Sequence, residues 1–351
     1  MITSLECMNV NDAFVTLCKE AIKWPIEVRR GGNKMMDSPG PVVTEIMDPR
    51  DRVLNISGRN NSLPAACAET LWVLAGRSDV EWLKFYLSRA PDFSDDGKVW
   101  RAGYGPRLRY YSPDHNDVYV DQLKFVIDEL KALPNSRRAA ISLIDPTSDS
   151  KNAPVEFKDF PCNLTLSFMI RYGKLDLVVF CRSQDLVWGA SGINWFEFTV
   201  MQELVARMIG VEIGSYYHVT NNLHVYDRHF KMVQRIALSC DPYPHWVQPD
   251  YHPGCDTLLG IDLMLERFFA LEYDIRIKSP VKIDQYEIFN GRSLVGDLCA
   301  VALAYCAYKS GDVKLEHELQ SRIIDNAMWN SYRRYKIWLQ HERIKEFTTP
   351  Y

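Results

Sequence analysis

The chain has 351 residues, 47% of them hydrophobic and 25% charged, which is an ordinary globular balance without signs of disorder. A formal net charge of −4 argues against a generally basic nucleic-acid-binding surface, no apolar run is long enough to span a membrane, and the first residues lack the pattern of a signal peptide. We therefore expect a cytoplasmic protein with reduced thiols and without nucleic-acid or membrane partners.

The first half of the chain alternates short strands and helices. Residues 27–46 predict two strands around a Gly/Pro-rich loop, and residues 62–90 predict a pair of helices broken at Gly76. An amphipathic helix is expected over residues 120–133, and a strand led by two arginines over residues 136–144.

A β-hairpin is the clearest predicted element in the middle of the chain. Alternating apolar residues from Leu164 to Ile170 form its first strand, and the second strand returns to Cys181. Period-two counting places Cys162 on the same face as the apolar residues, where it would point into a pocket at the end of that face.

The remainder of the chain is predicted to contain a helix, one or two strands and then mostly helices. Asn194 opens a predicted helix, and residues 211–226 predict a strand followed by a loop or a second strand. The part from 255 to 351 is expected to be mostly helical. Because there is no internal repeat and no dividing linker, we expect residues 1–351 to form a single domain, with a soft boundary near residues 231–255.

Nine cysteines occur without a Cys-x-x-Cys pair or a His pair at metal-ligand spacing, so no metal site is expected. Most of them should be buried packing residues. Pro161-Cys162 alone is weak evidence for a nucleophile, but other chemistry-bearing residues occur at fixed distances from it. They are Arg182-Ser183-x-Asp185-x-x-x-Gly189, Asn194 and His224-x-Tyr226 downstream, and Glu69-x-x-Trp72 and Arg137-Arg138 upstream.

In this order the motifs resemble those of the thymidylate synthase superfamily over about residues 28–230, and segments such as GRSDVEWL are similar to its phage-type branch. The resemblance implies an α+β (α/β) fold that is thymidylate-synthase-like, with a mixed twisted sheet covered by helices and a homodimer through the sheet. It implies 5,10-methylenetetrahydrofolate as co-substrate and a pyrimidine nucleoside monophosphate as substrate. We expect a dUMP or dCMP hydroxymethylase, with thymidylate synthase as the alternative and an inactive nucleotide-binding protein as a remote one.

The expected chemistry depends on Cys162. Addition of its thiolate to C6 of a pyrimidine makes C5 nucleophilic toward a one-carbon unit carried by folate. Cations near the thiol should lower its pKa, and Arg182 is the expected neighbour, although a solvated strand-end arginine is the alternative.

Four arginines are implied at the nucleotide phosphate, because the guanidinium group matches phosphate oxygens bidentately. They are Arg30, for which Arg29 is a competitor, Arg182, and Arg137 with Arg138 from the other subunit; Ser183 would add a hydroxyl contact. A solvated basic pair is the alternative for Arg137 and Arg138. Since neighbouring strand residues point to opposite faces, at least one of the two should lie in a turn.

The resemblance also assigns the sugar and the folate. His224 and Tyr226, two apart on an extended segment, face the same way and would bind the sugar 3′-hydroxyl. Asp185 and Trp72 would contact the folate. Glu69 would organise water and proton transfers near the base; a buried Glu without a partner is unfavourable, which supports a pocket position over the alternative of a helix surface.

Asn194 is the expected residue for recognition of the base. Its amide can donate to O4 and accept from N3–H of uracil, whereas cytosine presents the reverse pattern. The chain has one residue more between Gly189 and Asn194 than the usual cellular pattern, so a helix N-cap is the alternative role. Two further residues are Asn163, where cellular enzymes usually carry His, and Tyr104, which is either a loop-packing aromatic or a residue near the nucleotide.

Overall fold

The computed structural model describes residues 2–28, 33–112, 119–150, 157–239, 245–249, 251, 257–289 and 292–348. The strands in this part of the chain are β1 Thr3–Cys7, β2 Ile26–Val28, β3 Lys34–Asp37, β4 Val42–Ile46, β5 Ala140–Ser142, β6 Asn163–Arg171, β7 Lys174–Cys181, β8 Gln184–Asp185, β9 Glu212–Thr220 and β10 Leu223–Tyr226. The α-helices are α1 Val10–Ala21, α2 Leu63–Leu74, α3 Val80–Leu83, α4 Tyr104–Arg109, α5 Gln122–Ala132, α6 Pro146–Asp149, α7 Trp195–Ile209, α8 Phe230–Leu238, α9 Leu258–Arg276, α10 Leu294–Ser310, α11 Val313–Gln320 and α12 Asn326–Thr348.

Two mixed sheets carry the fold. The larger has six strands in the order β1-β4-β9-β7-β6-β5, and the smaller has four in the order β2-β3-β10-β8. In the larger sheet the β1–β4 and β7–β9 pairs are parallel and the other pairs are antiparallel. Helices together with mixed sheets confirm the expected α+β class. Strand β10 also decides that the segment after β9 is a second strand and not a loop.

Helices α2 and α10 pack against each other in the core, and every residue of α2 is buried. Helix α2 begins after Ser62, whose Oγ accepts the Ala65 N–H at 3.4 Å, and the chain breaks at Gly76 (φ 70°), as predicted. The expected second helix of this pair is only the single turn α3. After α3 the chain leaves the helical conformation, and the Tyr86 hydroxyl donates to Glu272 of α9 at 3.0 Å.

The predicted hairpin is confirmed as β6 and β7. Its two-residue turn consists of Tyr172 and Gly173, both with positive φ (51° and 78°), as a type I′ turn requires. Leu166 and Phe168 of β6 are buried, so one face of the hairpin belongs to the core.

The expected pocket position of Cys162 is confirmed, but the period-two count that placed it on the apolar face is wrong. The β6–β7 ladder shifts register between Asn163 and Thr165, and an inserted residue moves the alternation to the other face. Asn163 is therefore fully buried opposite Cys181, whereas Cys162 precedes the strand and is partly buried. Alternation counting cannot detect such a bulge, because the apolar pattern continues through it.

Four helices, α9 to α12, follow residue 257. No helix in the described part of the chain is long and apolar enough to cross a membrane. The single domain over residues 1–351 stays a prediction.

Candidate active site

A cavity of about 370 Å³ opens where the hairpin β6–β7 meets α2, β10 and the start of α7, and its size is that of a small-molecule site. Nine residues selected from the sequence line it. They are Glu69, Trp72, Cys162, Arg182, Ser183, Asp185, Asn194, His224 and Tyr226.

Arg182 lies directly beside Cys162, with its Nη2 3.8 Å from Cys162 Sγ. The backbone N–H of Arg182 donates to the Cys162 carbonyl at 2.9 Å, so the hairpin sets the two residues opposite each other. The guanidinium is held by the carbonyls of Pro161 (2.8 Å) and Phe160 (3.0 Å). Arg182 is therefore part of the cavity wall and not a solvated strand-end residue.

Arg182 lowers the pKa of the Cys162 thiol, as expected, but the net shift is upward. Burial, the largest effect, raises the pKa, and the Asp159 carboxylate raises it further. Asp159, which the sequence analysis missed, also lines the cavity, and its Oδ2 accepts the Ala102 N–H at 2.8 Å. The net effect of these surroundings favours the protonated form of the Cys162 thiol.

Polar residues of β10 and of the turn before β8 also line the cavity. Ser183 Oγ donates to Asn222 Oδ1 at 3.2 Å, and His224 Nδ1 lies 3.2 Å from the same oxygen. The His224 and Tyr226 rings meet edge to face with centroids 4.9 Å apart. These two side chains face the same way, as their spacing predicts.

Two donors converge on Oδ1 of Asn194, namely Gln184 Nε2 at 2.6 Å and Asn163 Nδ2 at 3.1 Å. A carbonyl oxygen accepts two hydrogen bonds, so Oδ1 is filled and the NH₂ group of Asn194 is left for the cavity. Asn194 has helical backbone angles (φ −69°, ψ −36°) and its side chain makes no capping hydrogen bond. The N-cap alternative for Asn194 is therefore wrong.

Cys181 sets the orientation of the Gln184 amide. Burial raises the pKa of the Cys181 thiol well above its usual value, so the thiol stays protonated and donates to Gln184 Oε1 at 2.9 Å. Gln184 then presents its NH₂ group to Asn194. Gln184 occupies the unspecified position of the Arg-Ser-x-Asp motif, which is why the sequence analysis passed over it.

A π-helical segment, Leu186–Asn194, leads into α7. A π-turn contains one residue more than an α-turn, because its hydrogen bonds connect residues five apart. This geometry accommodates the extra residue between Gly189 and Asn194. Asn194 therefore still lines the cavity.

Asp185 begins this segment and contributes a carboxylate to the cavity. Its Oδ1 accepts the Val187 N–H at 3.0 Å, and its Oδ2 lies 3.7 Å from Arg228 Nη2. Oδ2 is buried and has no hydrogen-bond partner among the described residues. It is therefore an acceptor available to a ligand.

Glu69 and Trp72 form the cavity wall on α2. The indole N–H of Trp72 donates to the Asp79 carbonyl at 3.2 Å, and Glu69 is only 7% exposed, so the helix-surface alternative for Glu69 is wrong. Burial raises the pKa of Glu69 to about 8. Such a pKa suits a group that exchanges protons near neutral pH.

Tyr104 belongs to the cavity and is more than a loop-packing aromatic. Its hydroxyl accepts the backbone N–H of Asn163 at 3.1 Å and the side-chain Nδ2 of Asn163 at 3.0 Å. Burial raises the pKa of Tyr104 well above its usual value. Tyr104 and Asn163 thus extend the hydrogen-bond network that holds Asn194.

Arg137 and Arg138 do not line this cavity. Both are exposed and precede β5, with Arg137 in a bend, so the expected strand does not include them. Arg138 pairs with Glu129 of α5 at 2.8 Å. Arg30 and its competitor Arg29 lie outside the described residues. In the part of the chain that the structure describes, no group of three or more His, Cys, Asp or Glu could hold a metal ion.

Comparisons with known proteins agree with this geometry. The sequence model of a family described as thymidylate synthase matches residues 46–248, more than half of the chain. A deoxyuridylate hydroxymethyltransferase of Bacillus phage SP01 is 45% identical over 190 residues, covering 53% of this chain and 49% of that protein.

Two further relatives are more distant. A deoxyuridylate hydroxymethyltransferase of Pseudomonas phage M6 is 37% identical over 214 residues, with 60% of this chain and 58% of that protein covered. A thymidylate synthase of Symbiobacterium thermophilum is 30% identical over 199 residues, with 52% and 66% covered. The chain therefore spans between half and two thirds of the length of these curated relatives.

Proposed function

Because this chain belongs to the thymidylate synthase family, we propose that it transfers a one-carbon unit from folate to C5 of a pyrimidine nucleoside monophosphate. We propose further that deoxyuridine monophosphate is the substrate and that the product carries a 5-hydroxymethyl group. The observation that best supports the transfer reaction is the position of Cys162. Its Sγ lies 3.8 Å from Arg182 Nη2, and both residues line a cavity together with Asn194. Similarity to two phage deoxyuridylate hydroxymethyltransferases supports the choice of substrate and product.

Cys162 is the proposed nucleophile. The thiol loses its proton as the Sγ–C6 bond forms, and Arg182 stabilises the developing thiolate charge. The electron pair of the C5–C6 bond then makes C5 the attacking atom. After C5 has taken up the one-carbon unit and lost its proton, the C6–S bond breaks and its electron pair goes to sulfur. The thiolate takes up a proton, so Cys162 is unchanged at the end, and water supplies the hydroxyl group of the product.

Asn194 is the proposed base-recognition residue. With Oδ1 occupied by Gln184 and Asn163, the NH₂ group of Asn194 is available to donate to O4 of uracil. A 4-amino group on the base would meet this donor with a second donor, which is unfavourable. This orientation supports a uracil nucleotide, and Glu69 is the proposed proton-exchanging group beside the base.

The proposed one-carbon donor is 5,10-methylenetetrahydrofolate, and the cavity residues fit a large heteroaromatic ligand. Trp72, Trp100 and Trp188 supply aromatic surface, and Oδ2 of Asp185, which has no hydrogen-bond partner among the described residues, is an acceptor for ring N–H groups. When bound, the folate supplies the one-carbon unit. Asp185 and the tryptophans would orient it against the nucleotide.

A homodimer through the six-stranded sheet is part of the proposal. In each site, Arg137 and Arg138 from the second copy would join Arg182 and Ser183 at the phosphate. Two observations support this: both arginines are exposed, and Phe180, on strand β7 inside the sheet, is 43% exposed. A two-fold interface lets every chain both give and receive a pair.

Subunit mixing tests the dimer. Cys162→Ser and Arg138→Ala homodimers should each be nearly inactive. After mild unfolding and mixing, about half of the dimers should be hybrids with one intact site, restoring roughly a quarter of wild-type activity. No recovery despite confirmed subunit exchange would mean that the arginines do not act across an interface.

A product assay tests the reaction. With dUMP and methylenetetrahydrofolate, mass spectrometry should detect the 5-hydroxymethyl nucleotide, without the absorbance rise that accompanies dihydrofolate. A strong rise would instead establish thymidylate synthase, the alternative that the Symbiobacterium relative supports. With 5-fluoro-dUMP and folate, a covalent adduct should form on Cys162. No adduct with any fluorinated pyrimidine nucleotide would favour a nucleotide-binding protein without catalysis.

A further inference from the structure

Glu197 is a fully buried carboxyl group with no assigned role. It lies in the first turn of α7, three residues after Asn194, and its exposure is 0%. Neither of its carboxyl oxygens has a hydrogen-bond partner among the described residues, and the same is true of Oε2 of Glu69. Three carboxyl oxygens at the junction of α2 and α7 are therefore unsatisfied.

Other buried glutamates in this chain are satisfied. Glu203 pairs with Arg207 at 2.7 Å and with Arg52; Glu272 accepts from Trp82 and Tyr86, each at 3.0 Å; Glu316 accepts from Tyr332 at 3.0 Å and Lys336 at 2.6 Å. An ionised carboxylate buried without such partners is strongly unfavourable, and the group neutralises instead. Glu197 has none of these contacts, and its burial favours the protonated form.

Among the described residues, the groups that act electrostatically on Glu197 carry no positive charge. Glu69 lies on α2, which packs against α7, and Tyr216 lies on β9, which does the same. His218 of β9 lies 2.8 Å from the Tyr216 hydroxyl, and burial lowers its pKa to about 3, so it is neutral. The buried residues of α5, which also packs against α7, are apolar. Burial, and then the charge of Glu69, raise the pKa of Glu197 well above its usual value.

We propose that Glu197 is a positioning residue that shares protons with Glu69, so that the pair never carries two charges and Glu69 enters the reaction as a carboxylic acid at the cavity wall. The catalytic use of this proton rests on the proposed function. Glu69 gives its proton to the base side as Cys162 adds to C6, and takes it back when the C6–S bond breaks. The protons that leave the Cys162 thiol and C5 go to solvent, and the departing thiolate takes one up from solvent, so the protons balance. In between, Glu197 donates its own proton to the vacated Glu69 carboxylate.

Three variants of α7 test the proposal. Glu197→Gln keeps the shape and removes the titratable group, whereas Glu197→Asp keeps a carboxyl group and loses length. Glu203→Gln is the control, because it alters an equally buried glutamate of the same helix that is ion-paired. A packing role predicts that Gln is tolerated better than Asp, and a proton-sharing role predicts the reverse.

The first readouts need no turnover. The infrared difference spectrum of wild type minus Glu197→Gln at pH 7 should contain the C=O stretch of a protonated carboxylic acid, shifted in D₂O. A raised folded-state pKa means that stability is complete below the unfolded pKa, about 4.3, and is lost as pH rises through the folded value. Relative to wild type, Glu197→Gln should therefore gain about 2 °C or more in Tm between pH 5 and pH 8. Glu203→Gln should not gain.

Kinetics with dUMP and methylenetetrahydrofolate complete the test. In Glu197→Gln we expect kcat to fall at least about tenfold with an unchanged KM for dUMP, and Glu197→Asp to retain more activity. An absent carboxylic-acid band, a Tm difference that does not change with pH, or an unchanged kcat in Glu197→Gln would each overturn the proposal. If the wild-type protein made no product, the proposed function would fail while the infrared and Tm measurements would still report on the carboxyl pair.

Discussion

Gln184 donates its side-chain amide to Oδ1 of Asn194 across 2.6 Å, and together with Asn163 it decides which end of the Asn194 amide faces the cavity. This relay of hydrogen bonds begins at the thiol of Cys181, which donates to Gln184 Oε1. Under the proposed function, base recognition therefore depends on Gln184 as well as on Asn194.

The first prediction reverses this relay. Gln184→Glu places acceptor oxygens where a donor was, so Asn194 should turn its NH₂ group toward residue 184 and its Oδ1 toward the cavity. The Asn163 amide should turn with it, because its buried Oδ1, now without a hydrogen-bond partner among the described residues, can then accept from Asn194. An acceptor in the cavity suits the 4-amino group of cytosine. We expect the ratio of kcat/KM for dUMP to that for dCMP to fall roughly tenfold, the value of one net hydrogen bond, measured with both nucleotides under identical conditions.

Gln184→Met is the matched control for this prediction, because it removes the donor without supplying an acceptor. It should lower kcat/KM for both nucleotides and leave their ratio nearly unchanged. An equal ratio in the Gln184→Glu and wild-type proteins would mean that Gln184 does not orient Asn194.

The second prediction concerns the nucleophile. Cys162→Ser should retain the fold and nucleotide binding and lose almost all turnover, because a hydroxyl is far harder to ionise than a thiol. Circular dichroism, nucleotide titration and turnover measure the three properties. Cys181→Ser is the control: its hydroxyl can still donate to Gln184, so activity should persist. Loss of activity in Cys181→Ser with retention in Cys162→Ser would move the nucleophile to Cys181.

The third prediction changes the base-recognition residue directly. In Asn194→Asp one carboxylate oxygen can accept from Gln184 and Asn163, and the other faces the cavity as an acceptor. The preference should move from uracil toward cytosine nucleotides, measured as the ratio of kcat/KM values. A variant that loses stability without any change in this ratio would contradict the assignment.

The fourth prediction concerns stability. Asp149 is fully buried and accepts from Arg107 at 2.6 and 2.7 Å and from Arg101 at 2.8 Å. Removing one partner of a buried ion pair leaves a charge uncompensated, so Asp149→Ala should lower the free energy of unfolding by about 3–5 kcal/mol. Denaturant unfolding measures this, and Asp128→Ala, which removes an exposed helix pair with Lys124, should change it by less than about 0.5 kcal/mol.

The stabilisation by the Asp149 carboxylate should depend on pH. Burial alone would raise the pKa of Asp149, but hydrogen bonds from Arg107, the Asp145 N–H and Arg101 outweigh it and hold the pKa below its usual value. A lowered folded-state pKa contributes stability above the unfolded value, about 3.9, that is lost as pH falls through the folded one. The difference between wild type and Asp149→Ala should therefore shrink at acid pH. A constant difference from pH 7 to pH 3 would contradict this account.

Much of the site could be predicted from the sequence, because the chemistry depends on residue types in a fixed order. Arg182, Asn194 and His224 line the cavity with Cys162, as the motifs implied. The hairpin could also be predicted, because the apolar alternation from Leu164 to Ile170 is followed by a second strand that returns to Cys181.

The residues that were missed depend on tertiary structure. The bulge at Asn163 leaves the apolar alternation intact, and the direction of the Cys162 pKa shift follows from burial that no spacing records. Gln184 and Glu197 are polar residues in ordinary positions of a strand and a helix. Their roles depend on contacts with residues of other elements, which the local sequence does not show.

The π-helical segment Leu186–Asn194 forms this wall of the cavity, and it allows one additional residue without moving the side chains at its two ends. In an α-helix an added residue rotates everything after it by about 100° and would turn Asn194 away. Here the wider turn takes up the residue, so chains that differ by one position can present the same two groups, Asp185 and Asn194, to a ligand. A gap in a sequence alignment between these two residues is therefore no evidence of a changed specificity. Related sequences should be aligned at Asp185 and at Asn194, whatever the number of residues between them.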